Sequence, residues 1–126
     1  MSRRWILPAL AALALPVAAL AHTTVAGTTP MNGAVLAASP PVIEISFKAP
    51  ANLTSVVVVA PGQAERKLEF EPRASATTFK LPNPALVAGR NEIQWKALSK
   101  DGHVINGTLV LTIDAAAKSA AAGKSP

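Results

Sequence analysis

The 126-residue chain contains no cysteine, which rules out a disulfide framework and leaves no thiolate to hold zinc or Cu(I). Its net charge of +5 includes Arg3 and Arg4, and the other basic residues are scattered between Lys48 and Lys124. With no Lys/Arg cluster and no aromatic platform, a nucleic-acid partner finds no support.

Met1-Ser2-Arg3-Arg4 opens the chain, followed by an apolar run from Trp5 to Leu20 and the small-residue triplet Ala19-Leu20-Ala21. A positive start, a Leu/Ala-rich stretch interrupted by proline and an A-x-A site read as a helical secretory signal over residues 1–21, cleaved after Ala21. An uncleaved anchor or a buried helix would call for a stop-transfer pattern or an amphipathic stripe, and the sequence shows neither. Cleavage leaves 105 residues of net charge +3, enough for one hydrophobic core. That domain must cohere by packing alone or with the help of a bound ion, and after cleavage it is not embedded in a membrane.

Beyond His22 the pattern becomes short β-branched runs separated by Pro, Gly and Asn, the signature of strands and turns. The first extended piece, Thr23 to Thr29, ends at Pro30-Met31-Asn32-Gly33, where Asn-Gly supplies the positive φ of a tight turn. Pro40-Pro41 precede Val42 to Phe47, a strand with Ile43, Ile45 and Phe47 inward. The valine run Ser55 to Ala60 predicts a separate central strand buried on both faces, stopped by Pro61-Gly62. Lys67 to Glu71 and Thr77 to Leu81 read as a pair of shorter, more polar strands. Asn91 to Leu98 alternates with Ile93, Trp95 and Ala97 inward, and Leu109 to Ile113 closes the domain with Leu109, Leu111 and Ile113 on one face. About seven strands at this spacing predict an all-β fold, a Greek-key β-barrel or sandwich, Ig-like or cupredoxin-like, over residues 22–114. Residues 115–126 collapse to Ala, Lys, Ser and Gly and read as a flexible tail.

The two histidines carry the chemistry. His22 would stand first after cleavage, where one residue offers both an α-amine and an imidazole to a metal. His103 follows Asp101-Gly102 in the turn between two predicted strands and would add a third nitrogen, with Asp101 adding an oxygen. That nitrogen and oxygen set suits tetragonal Cu(II), and less selectively Ni(II) or Zn(II). Gly102 lets the backbone bend so that both side chains turn toward one point. Taken singly, Asp-Gly also fits an ordinary hairpin turn and His103 a surface histidine; their joint occurrence with His22 is what points to metal.

These residues are also where the chain resembles a known family, the CopC-type copper-binding proteins, over His22 to Asp114. The likeness is carried by His22 after the A-x-A site, Thr29-Pro30 and Gly33-Ala34, Leu36-Ala37-Ala38-Ser39-Pro40-Pro41 before Ile45-Ser46-Phe47, and Ala88-Gly89. Its most specific part is Trp95-Lys96-Ala97-Leu98-Ser99-Lys100-Asp101-Gly102-His103 followed by Gly107, close to a W-x-x-x-S-x-D-G-H pattern. The resemblance implies a periplasmic, monomeric protein that binds one Cu(II) per chain through His22, Asp101 and His103, with Trp95 as a core residue. It further implies a CopD-type membrane copper transporter as partner and no catalytic residue. Three features depart from the family. Thr24 stands where many members have a further histidine, and Lys48-Ala49-Pro50 follows Phe47 where a carboxylate is common. Met31 is the only methionine left after cleavage, which predicts no thioether-rich Cu(I) site.

The leading expectation is therefore a copper carrier or buffer in copper homeostasis or resistance. A second reading is an oxidative copper enzyme built on the N-terminal amine and two imidazoles. The chain has no tyrosine and no flat aromatic surface to receive a sugar chain, and Asp101 would fill a position that oxygen chemistry needs open. A third is a metal-free Ig-like interaction module in which both histidines are incidental.

Overall fold

A computed structural model describes residues 25–117; the signal segment, His22 and most of the alanine-rich tail lie outside it. Seven strands and no helix make up the described chain: β1 (Val25–Thr29), β2 (Val35–Leu36), β3 (Val42–Val59), β4 (Arg66–Lys67), β5 (Ala76–Pro82), β6 (Gly89–Ser99) and β7 (Val104–Ile113). They form one curled sheet in the order β1-β3-β6-β7-β2, with β4 and β5 also paired to β3. All neighbours run antiparallel except β2, which lies parallel to the end of β7.

The expected number of strands is reached by a different route. The two runs read as separate strands, Val42 to Phe47 and Ser55 to Ala60, are one 18-residue strand that changes neighbours along its length. Its first part sits between β1 and β5, and its second part pairs with β6. Pro50 falls in the bend between the two, where no ladder bond is required of it, so a residue that reads as a break is accommodated inside the strand. The β3–β6 register slips between Leu53 and Ser55. This bulge shifts the inward phase from Ala51 and Leu53 to Val56 and Val58, while Val57 and Val59 stay half-buried. The valine run is thus buried on one face only. Of the two expected polar strands, the first shrinks to β4, Arg66–Lys67, on β3, and only Glu71 bridges to Lys80 of β5. β2, held to β7 at Thr112 and Ile113, is too short to register as a pattern.

The inward faces expected for the longer strands are observed. Ile43, Ile45 and Phe47 pack with Ile93, Trp95 and Ala97 and with Leu109, Leu111 and Ile113 in one core. Phe47 meets Phe79 and Trp95 edge-on at centroid distances of 5.9 and 5.3 Å. Asn91 is, with Ser99, one of two buried polar residues among the described residues. Fully buried, it donates from Nδ2 to the carbonyls of Val87, at 2.8 Å, and Gly89, at 3.0 Å, and accepts the Val87 N–H at 3.2 Å. The approach to β6 is therefore tied down by a side chain whose type alone reads as surface.

Trp95 lies directly opposite Gly107 in the β6–β7 ladder, and its ring occupies the space a side chain there would need. A Cβ at position 107 would sit 2.5 Å from Cζ2 of Trp95. Gly107→Ala should therefore cost about 1–3 kcal/mol of stability through overpacking. Urea unfolding of the variant measures it, and an unchanged midpoint would mean that the indole moves aside freely. Alongside Trp95, a groove of about 590 Å³ runs between β1 and β7, bordered by Thr28, Met31 and Leu109.

Candidate metal centre

β6 turns into β7 through four residues, Lys100, Asp101, Gly102 and His103. The Gly102 N–H donates to the Ser99 carbonyl at 2.9 Å and the Ser99 N–H to the His103 carbonyl at 2.8 Å. Gly102 itself adopts φ +90, the left-handed geometry that closes the hairpin and that a side chain would strain. This is the bend expected of Gly102, and it places Asp101 and His103 side by side.

Asp101 Oδ1 lies 3.1 Å from Nδ1 of His103. The same oxygen accepts the Ser99 hydroxyl and, at 3.4 Å, the His103 backbone N–H. These contacts, the Ser99 hydroxyl foremost and the His103 side chain next, hold the Asp101 carboxyl at about 2, below its ordinary 3.8. The group is thus ionised throughout the neutral and mildly acid range, and what it adds to stability is present above its ordinary 3.8 and is lost as pH falls from there through about 2. Both side chains are open to solvent, His103 76% and Asp101 63% exposed, so a cation could reach them without the fold opening.

Two donors bound at right angles to one metal at about 2.0–2.1 Å stand about 2.9 Å apart. The 3.1 Å between Oδ1 and Nδ1 is close to that spacing, so the pair suits adjacent positions on one ion. It is half a site. Among the described residues no group of three or more His, Cys, Asp or Glu side chains could hold a metal ion. Of the three ligands expected from sequence, the structure brings Asp101 and His103 together, and His22 lies outside the described residues. Ser99, buried on the inward face of β6, is the participant that residue-by-residue reading passed over. Its signal was the Ser-x-Asp spacing just before the glycine. Lys48 is exposed at the bend of β3, next to buried Phe47, and contributes no carboxylate there. Among the described residues no helix is long and apolar enough to cross a membrane.

The CopC domain family matches residues 25–114 of the chain. No curated protein matches it. Among solved structures it is similar to CopC from Methylosinus trichosporium OB3b, with 23% identity and a TM-score of 0.61 over 74% of this chain and 94% of that one. It is also similar to PcoC, a methionine-rich copper resistance protein from Escherichia coli, with 24% identity and a TM-score of 0.53 over 75% of this chain and 100% of that one. The selenomethionine form of PcoC gives 23% identity and a TM-score of 0.52, over 72% and 99% of the two chains. At these identities the likeness to the solved structures is one of fold.

Proposed function

The chain belongs to the CopC family, and from that premise we propose that it is an exported copper-binding protein, a carrier or buffer that takes one Cu(II) per chain in copper homeostasis or resistance. It is a binding protein and not an enzyme. The ligands are the α-amine and imidazole of His22, the imidazole of His103 and the carboxylate of Asp101. The observation that carries this reading is the solvent-open Asp101–His103 pair, 3.1 Å apart on a turn locked by Gly102.

The layout of the strands favours His22 as the remaining ligand. Val25, where β1 begins, is registered with Phe47, and four residues further along β3 Ala51 is registered with Ser99 at the edge of the turn. The start of β1 and the Asp101–His103 turn are therefore reached from one stretch of β3. His22 precedes Val25 by three residues, an extended reach of about 10 Å. Cleavage after Ala21 would create the amine at that point, so export and maturation of the site are one event. The protein would act as a monomer in the periplasm and hand its copper to a CopD-type membrane transporter.

Cu(II) binding tests the proposal. Processed protein given one equivalent of Cu(II) should show an electron paramagnetic resonance signal with nitrogen and oxygen donors. The affinity should fall with acidification from about pH 8 to about pH 5, because imidazoles and α-amines must lose their protons to bind; they ordinarily titrate near about 6.5 and about 7.7–8.0. The Asp101 carboxylate, already ionised at these pH values, does not set that window. A competition titration that is flat across this range would exclude the amine and imidazole donors.

A further inference from the structure

We propose that Ser99 is a positioning residue for the cation: its buried hydroxyl holds the Asp101 carboxylate beside His103, close to the separation of two adjacent donors on one ion. The inference rests on the copper reading above and adds to it a residue that binds nothing itself.

An aspartate on an exposed turn would ordinarily rotate among staggered side-chain conformations, most of them directed into solvent. Here the carboxylate is turned back over the turn. Ser99 is only 6% exposed, and both of its backbone groups are bonded, N–H to the His103 carbonyl and C=O from the Gly102 N–H. Its hydroxyl is therefore a fixed point, and it donates to Asp101 Oδ1. The turn itself does not depend on that bond. It is already closed by the two backbone hydrogen bonds and by the positive φ of Gly102, and the His103 N–H contact to Oδ1 would serve an ordinary aspartate turn without help. What the hydroxyl adds is the aim of the carboxylate. With Ser99 and the His103 N–H on Oδ1, the oxygen that approaches His103 Nδ1 stays at 3.1 Å from it before any ion arrives. Residues that orient a metal ligand in this way commonly change affinity by about 10- to 100-fold when removed.

The test compares Ser99→Ala and Ser99→Thr with the parent, all correctly processed to begin at His22. Cu(II) affinity is measured by chelator competition, the donor set by electron paramagnetic resonance, and the carboxylate by the Asp101 13Cγ resonance of the metal-free protein, with thermal unfolding as the control. Ser99→Ala should bind Cu(II) about 10-fold or more weaker, with an altered spectrum and a shifted Asp101 resonance. Ser99→Thr, which keeps the hydroxyl, should recover affinity and spectrum to within about threefold of the parent. Unchanged affinity and an unchanged Asp101 resonance in Ser99→Ala would overturn the positioning role, as would equal losses in both variants. A parent protein that binds no Cu(II) would instead overturn the copper reading, so the two failures are distinguishable.

Discussion

A single alanine placed ahead of His22 in the processed protein should abolish tight Cu(II) binding without changing the fold. The extension leaves every described residue intact and removes only the primary amine from the first histidine, whose two nitrogens would otherwise close a chelate ring on the ion. His103→Ala should do comparable damage from the other side of the site by removing the imidazole that stands 3.1 Å from Asp101 Oδ1. Loss of a direct ligand is expected to exceed the 10- to 100-fold cost of disturbing a residue behind it, so each variant should lose more than about 100-fold, about 3 kcal/mol of binding free energy. Stability should barely move. The His103 side chain is 76% exposed, and substitutions at such positions ordinarily lie within about 0.5 kcal/mol. Competition titration together with thermal unfolding separates the two effects. If either variant kept the parent's affinity, the corresponding ligand assignment would be wrong, and if both did, the metal-free interaction module would be the better reading.

Phe79→Ala should be the most damaging single truncation of the core, costing about 3–5 kcal/mol. Phe79 is fully buried on β5, and its ring meets Phe47 and Phe70 edge-on at 5.9 and 6.5 Å. It thereby joins the first part of β3 to the chain segment ahead of β5. Removing it leaves a cavity that neighbouring aromatic rings cannot readily fill, since Phe47 is also committed to Trp95. A domain of this size has only about 5–15 kcal/mol of net stability and no disulfide to restrain the unfolded chain, so a loss of this size brings it near the unfolding threshold. Chemical denaturation of the metal-free variant measures the cost. A loss below about 1 kcal/mol would show that the aromatic cluster repacks.

Much of the candidate site was legible because its parts are close in sequence. Asp101, Gly102 and His103 are consecutive, glycine is the residue that tolerates a positive φ, and a hairpin turn needs no distant partner to be recognised. His22 was read from the cleavage pattern before it and lies outside the described residues. Ser99 was not legible, because its place depends on a serine being buried while the aspartate two residues later is exposed, and residue type does not reveal that. Asn91 escaped for the same reason. Its environment is assembled from Val87, Gly89 and the distant Leu111, whose carbonyl lies 3.5 Å from Nδ2.

The sequence by itself determined the class of the fold, the inward faces of the long strands and the chemistry available at the turn. All of these follow from rules of one- or two-residue range: side chains alternate across a strand, glycine enters left-handed space, and an imidazole beside a carboxylate offers nitrogen and oxygen. Only the tertiary structure decided that Val42–Val59 is one strand, that the valine run is buried on one face, that the first polar strand shrinks to Arg66–Lys67 on β3 and that Gly107 lies beneath Trp95. Each of those is settled by pairing between segments far apart in the chain. Pro50 illustrates the difference: locally it forbids a ladder bond, but at a bend between two sets of neighbours no such bond is needed.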